Sequence, residues 1–282
     1  MANISLPSRT LQPRRRSNAY FVESTLGPVI FASVVGLVLF FLVLPTLIVI
    51  PMSVGTASYI QFPPRGLTLK WYLDYFTDPD WMAATWFSLK IAFATTITST
   101  IIGTLGSIAL VRGKLPGKAF IQALTLSPMV VPHIVIAVGI YLVFAPVGLT
   151  GNFTGFLIAH TMLSVPYVII TVSAVLQRFD VTLELAALNC GASRPQAFWF
   201  IVLPNIMPGV AAGAVFAFLA SFDEATVAFF ISGVHGTTIT RKMFEDIDFN
   251  LTPIIAAVST VLVIFTLVLM GGVKFLQARK RT

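Results

Sequence analysis

The sequence predicts an all-α membrane protein with six transmembrane helices. Three observations predict it. Of the 282 residues, 56% are hydrophobic and only 10% are charged, and the mean hydropathy is +0.89, whereas a water-soluble chain carries about 25% charge. Six apolar stretches each reach the roughly 20 residues that a helix needs to cross a hydrocarbon core of about 30 Å. Lysine and arginine collect on one side of those stretches, as they do beside membrane spans. The alternating segments of about ten residues that mark transmembrane strands are not seen.

The elements follow in order. Residues 1–27 are polar, with Pro and Arg, and form a tail ahead of the membrane. The first span is Pro28–Val49. It exceeds the 7–15 or so residues of a signal-peptide core, and no convincing small-residue cleavage site follows, so it reads as an uncleaved helix. Between Pro51 and Ala84 lie Trp71, Tyr72, Tyr75, Phe76 and Trp81. Such side chains suit a membrane–water boundary and predict a short surface helix. Thr85–Val111 and Phe120–Phe144 are the second and third spans. Pro128 and Pro132 each remove a hydrogen bond from the third, which predicts a break beside a site or a moving part, and His133 follows directly. A short loop, Ala145–Asn152, leads to the fourth span, Phe153–Leu176.

The fifth span is Gly209–Ile231, in which Gly209, Gly213, Ala217 and Ser221 recur every four residues. That ridge of small residues favours close helix packing. Asp223 and Glu224 follow it within the same span. Ionisable groups at membrane depth face a cavity, a partner or a pathway. Two readings stay open for them: direct contact with a cationic solute, or contacts between helices. The loop Ser232–Thr252 holds Glu245, Asp246 and Asp248. Thr252 and Pro253 then suit the start of the sixth span, Pro253–Phe275, as cap and first helical residue. Residues 28–276 thus form one membrane domain without internal repeats, and 277–282 a basic tail.

Charge placement sets the orientation. With the N-terminus inside, Arg9, Arg14, Arg15, Arg16, Arg112, Lys114, Lys118, Arg178, Arg194, Lys274, Arg279, Lys280 and Arg281 all fall on the inner side. Arg65, Lys70, Lys90, Arg241 and Lys242 are left on the outer side. Both termini are therefore expected in the cytoplasm. The net charge of +7 records this topology and does not point to nucleic acid. The lone Cys190 has no partner for a disulfide, and His160 and His235 are too scattered to suggest a metal site. No cofactor is expected. Gly113–Ala119 faintly resembles a phosphate-binding loop, but it lacks the four-residue spacer and the final Ser/Thr. ATP hydrolysis is not expected of this chain, and no nucleophile–base pair suggests another enzyme.

The segment from Arg178 to Pro208 is the polar interruption between the fourth and fifth spans. Asp180 or Thr182 can cap a helix whose first turn holds Glu184. Gly191 is placed to end it in the left-handed conformation. Ser193 and Gln196 have capping-box spacing and start a second helix, which Pro204 and Pro208 are expected to end. The predicted product is a helix–Gly–helix knob whose alanines let a partner approach closely.

Ala186-Ala187, Gly191, Ile201 and Leu203-Pro204 are spaced AA-x3-G-x9-I-x-LP. This resembles the loop of the inner-membrane permease subunits of binding-protein-dependent ABC importers, where the pattern begins EAA. Here Leu185 stands at the Glu position and Glu184 one residue earlier, about 100° round a helix. Ser221-Phe-Asp-Glu224, Pro128-Met-Val-Val-Pro132 and Trp71-Tyr72 resemble the spermidine/putrescine-type branch. The resemblance implies the type I importer permease (MetI-like) fold with cytoplasmic coupling helices, in the bacterial inner membrane. It implies that Glu184, Ala186, Ala187, Gly191, Ile201, Leu203 and Pro204 serve the coupling to an ATP-binding subunit dimer. It also implies a second, distinct permease subunit and an extracytoplasmic solute-binding protein, to whose contact the aromatic outer segment is an alternative fit. Asp223, Glu224, Pro128, Pro132 and His133 are the expected translocation-path residues for a small, cationic, polyamine-like solute. His133, where relatives often carry an acid, bears on solute choice or simply packs. The alternative is a self-contained ion-driven transporter or channel, which predicts inverted repeats.

Overall fold

The computed structural model describes residues 26–233, 236–249 and 252–279. Arg9, Arg14, Arg15, Arg16, His235, Lys280 and Arg281 lie outside the described residues. The described chain is almost wholly helical, with a single isolated bridge between Gly233 and Gly236. It divides into two compact units at Leu47. The first is most of α1 (Leu26–Met52), which is apolar on every side: Phe31, Leu37 and Phe41 are each about 70% exposed. Such a helix needs lipid around it.

The second unit is built on α3 (Pro79–Arg112), α6 (Phe153–Leu176) and α9 (Leu203–Phe222). These three meet at positions without side chains. A Cβ on Gly103 of α3 would lie 2.6 Å from Val168 Cβ of α6. One on Gly209 would lie 2.8 Å from Val175 Cγ2, and one on Gly213 would lie 2.6 Å from Thr171 Oγ1 and 3.0 Å from Val168 Cα. The predicted small-residue ridge is thus the packing face of α9, with Gly209, Gly213, Ala217 and Ser221 all buried. Thr98 and Thr161 share a hydrogen bond of 2.7 Å, and Ser107 Oγ donates to Ile169 O at 3.3 Å, adding polar contacts between α3 and α6. Val168, Val172, Leu176, Val202, Ile206 and Ala217 form the apolar core at one end.

Two spans are broken. The third consists of α4 (Lys118–Leu126), a 3-10 turn at Ser127–Met129 and α5 (His133–Phe144), bent by 99°. Pro128 sits in the turn and Pro132 just before α5, as the missing hydrogen bonds require. The fifth span was expected as one helix to Ile231. It stops instead at Phe222 and restarts as α10 (Thr226–Ile231), so Asp223 and Glu224 lie in a break and the helical spacing from Ser221 does not carry through them. At its other end the span begins early. Pro204 and Pro208 do not end the helix that starts at α8 (Arg194–Ala197): the chain runs helical from Arg194 to Phe222. A π-helical stretch, Phe198–Val202, makes this possible, with Leu203 N–H donating to Phe198 O. The wider turn accommodates Pro204, which has no N–H to donate, and Asn205 Nδ2 satisfies Ile201 O at 2.7 Å.

Three of the five aromatics between Pro51 and Ala84, namely Trp71, Tyr75 and Trp81, are core residues. Asp78 Oδ1 accepts the N–H groups of Asp80 (2.8 Å) and Trp81 (3.2 Å), so α3 starts at Pro79, ahead of the expected Thr85. Before it, α2 (Lys70–Thr77) buries Trp71 and Tyr75. Trp71 Nε1 donates to Gly55 O at 2.8 Å, and Tyr75 and Trp81 pack with Phe218, Phe222 and Val258. Val258 belongs to α12 (Ile254–Arg279), and α11 (Ile239–Phe249) precedes that helix. Phe76 alone of the predicted set is more than half exposed.

The Gly213 contact gives a test. Gly213→Val is expected to lower stability by about 1–3 kcal/mol, as overpacking does, because Val168 Cα is backbone and cannot turn aside. Thermal unfolding of the detergent-solubilised protein checks this, with Gly139→Val, where a Cβ meets nothing within 4 Å, as the comparison.

Candidate functional site

A cavity of about 230 Å³ opens where both broken spans meet α6; Pro128, His133, Leu163, Tyr167, Asp223 and Glu224 are among its lining residues. The two helix breaks create it. The bend puts Pro128 and His133 in its lining, and the stop at Phe222 puts two adjacent carboxylates there. Four of the five predicted path residues line it; Pro132 does not, and instead heads α5, its carbonyl accepting Val135 N–H at 2.9 Å. Leu163 and Tyr167 carried no signal in the sequence, since both sit in an apolar helix run.

Glu224 is only 6% exposed. Its Oε1 accepts Val227 N–H at 2.6 Å, one of the donors left free at the start of α10. Its Oε2 lies 3.3 Å from His133 Nδ1. Its backbone carbonyl accepts from Thr240 Oγ1 at 3.1 Å. Glu224 therefore both organises the break and presents one oxygen to the cavity. Asp223 lines the same space with no side-chain partner among the described residues. Beside it, His160 Nδ1 and Ser221 Oγ are 2.9 Å apart, buried between α6 and α9. The cavity thus offers carboxylate oxygens, a phenol and an imidazole against apolar walls, a donor set suited to a positively charged or amine-bearing ligand.

At the far end of α6, α7 (Val181–Asn189) and α8 form the predicted knob. Asp180 caps α7 by accepting Thr182 N–H at 2.9 Å. Gly191 has φ +93°, and the chain leaves α7 by a Schellman pair: Ala192 N–H to Ala187 O at 3.1 Å and Gly191 N–H to Leu188 O at 3.0 Å. Gln196 Oε1 accepts the Ser193 N–H at 2.8 Å and its hydroxyl at 2.9 Å, starting α8. Ala186 and Gly191 are exposed, Ala187 is half-buried, and Leu185 is 53% exposed. Ile201 and Leu203 are half-buried and Pro204 is exposed, all within or beside the π-helical stretch that joins the knob to α9. Glu184 faces inward and pairs with Arg112 at 2.6 Å, a residue that the sequence pattern did not single out.

Known proteins share this fold. Residues 101–282 match the family of binding-protein-dependent transport system inner membrane components. The chain belongs to that permease family. It is 31% identical over 231 residues to the spermidine/putrescine transport system permease protein PotC of Escherichia coli (strain K12), covering 82% of this chain and 87% of the relative. It is 29% identical to the putrescine transport system permease protein PotI of the same strain, over 79% of this chain and 81% of the relative. Identity is also 29% to the sulfate transport system permease protein CysT of Salmonella typhimurium (strain LT2), over 74% and 80% of the two chains. Among solved structures, the fold resembles that of a bacterial ABC transporter involved in the import of the acidic polysaccharide alginate. The TM-score there is 0.70 at 15% identity, over 91% of this chain and 97% of that one. An amino acid ABC transporter superposes with a TM-score of 0.57 at 17% identity, over 76% and 100%.

This permease is therefore a multi-pass inner-membrane subunit of an ABC importer and not an enzyme, since ATP hydrolysis resides in a partner subunit of such importers. Membership also implies a binding protein and, in general, a second permease. It sets aside the self-contained ion-driven transporter.

The cap of α7 makes a pH prediction. Hydrogen bonds from the Thr182 side chain and N–H hold the Asp180 carboxyl below the usual carboxylate range. A lowered folded value means that the cap is complete above the ordinary aspartate range and is lost as pH falls through the lowered value. The Thr182 amide resonance is expected to titrate with a midpoint below that of a free aspartate, and Asp180→Asn is expected to abolish the step.

Proposed function

We propose that this chain forms, with a distinct homologous permease, the translocation path for a small polyamine-like cation, and that an ATPase dimer drives it through residues 178–208. The observation that carries the substrate reading is the cavity: two adjacent carboxylates, one of them without a side-chain partner among the described residues, at the meeting of two broken spans. A site of that charge favours a cation over an anion. The relatives named for spermidine and putrescine support the same class, and the relative named for sulfate marks the family's wider range. In this reading His133 Nδ1, 3.3 Å from Glu224 Oε2, occupies that oxygen until the solute arrives. An extracytoplasmic binding protein delivers that solute.

The exposed knob supports the coupling reading. It presents small side chains to a partner on the far side of the bundle from α10, and the placement of basic residues supports a cytoplasmic position for that side and for both termini. The chain then divides into an N-terminal tail (1–27), the six-helix permease domain (28–276) and a basic tail (277–282).

Two outcomes are expected with the importer reconstituted in proteoliposomes. Asp223→Asn and Glu224→Gln are expected to raise the KM for spermidine uptake, roughly tenfold for loss of one charged contact, with membrane abundance preserved. Uptake of sulfate in place of polyamines would overturn the substrate reading. Gly191→Val, which forces a β-branched residue to positive φ, is expected to strain the knob by about 1–3 kcal/mol and to lower transport per ATP hydrolysed. Unchanged coupling in that variant would remove the knob from the mechanism.

A further inference from the structure

The last residue of α3 and the first turn of α7 are far apart in sequence, yet Arg112 Nη1 and Glu184 Oε2 lie 2.6 Å apart. We propose that Arg112 is a positioning residue that ties the coupling helix α7 to the C-terminal end of α3, and that Glu184 is the other half of this tie and not a contact for the ATPase. The proposal rests on the coupling reading of residues 178–208 and deepens it.

Three observations support the tie. Both side chains are about one-quarter exposed (26% and 24%), so water screens the pair less than it screens a surface ion pair. The Arg112 guanidinium also lies 5.2 Å from the centre of the Phe179 ring, a cation–π contact with the residue just before the Asp180 cap. One side chain therefore holds both the entry to α7 and its first turn. Finally, α7 is divided by face. Val181, Leu185 and Ala186 are exposed, leaving an apolar, small-featured surface for a partner, while Glu184 is turned inward. The one-residue offset from the EAA pattern acquires a physical meaning here. An acid at position 185 would stand on the free face, about 100° round the helix; at 184 it meets Arg112.

The consequence is mechanical. The knob is joined to α9 through the helical stretch Arg194–Phe222, and the ion pair joins it separately to α3. Both helices pack on α6 through glycine contacts. Movement imposed on α7 is thus shared between two of the three core helices instead of passing to α9 alone.

The test uses the complete importer, with its ATPase, second permease and binding protein, in proteoliposomes. R112Q and E184Q are each expected to lower solute uptake by roughly threefold to tenfold, in the range of coupled charge pairs, while the ATPase still co-purifies. The exchanged pair R112E/E184R is expected to restore uptake. R112Q/E184Q, which leaves no charge unpaired, completes a double-mutant cycle with the two singles, read on membrane abundance where a single variant fails to accumulate. Additive losses in that cycle would overturn the proposal, as would unchanged uptake in E184Q. If E184Q releases the ATPase and R112E/E184R does not recover it, Glu184 is a partner contact: the tie is then wrong and the coupling reading stands. Normal uptake and ATPase retention in A186W would instead remove the coupling reading itself.

Discussion

Three helices approach to backbone contact at glycines, and the second unit of this permease is arranged around that contact. In lipid there is no apolar driving force between helices, because the solvent is as apolar as the side chains; association depends on how closely surfaces fit. Gly103 lets α3 reach Val168, and Gly209 and Gly213 let α9 reach Thr171, Val175 and the Val168 backbone. The three helices touch pairwise, and α6 and α9 carry the cavity toward one end and the knob at the other. The apolar clusters at both ends then build on helices already in register.

The cavity shows how a carboxylate is kept among apolar walls. An unpaired buried charge is strongly unfavourable, so Glu224 depends on what surrounds it. Breaking the helix at Phe222 exposes the first N–H groups of α10, and Glu224 Oε1 accepts one of them from Val227. The break that would otherwise leave backbone donors orphaned thus stabilises the acid, and the acid closes the break. His133 reaches the remaining oxygen only because Pro128 and Pro132 bend the third span by 99° and place α5's first residue beside α10. Two irregular backbone segments account together for a polar site that two straight helices would not form.

Much of this was legible in the sequence because it depends on local chemistry. Proline removes an N–H wherever it stands, so Pro128 and Pro132 announced a bend; small residues every four positions announced the face of α9; Asp180, Gly191 and Ser193 announced the limits of the knob's helices. What was not legible depends on partners distant along the chain. Trp71 and Tyr75 look like boundary aromatics until Gly55, Thr85 and α12 surround them. Arg112 looks like one more topological charge until α7 brings Glu184 to it. The stop at Phe222 is hidden because SFDEATVAF contains no Gly or Pro, and only the capping geometry of Glu224 shows why the helix yields there. Pro204 misled in the opposite direction: its ring suggests an ending, and the π-helical stretch before it absorbs the missing bond.

That stretch, Phe198–Val202, has one more consequence. Because α8 runs into α9 without a loop, the knob and the fifth span form one continuous shaft. The wide turn is the weakest point of that shaft, since its hydrogen bonds reach one residue further than an α-helix allows. A shift of the bulge by a single residue would turn the knob about the axis of the span.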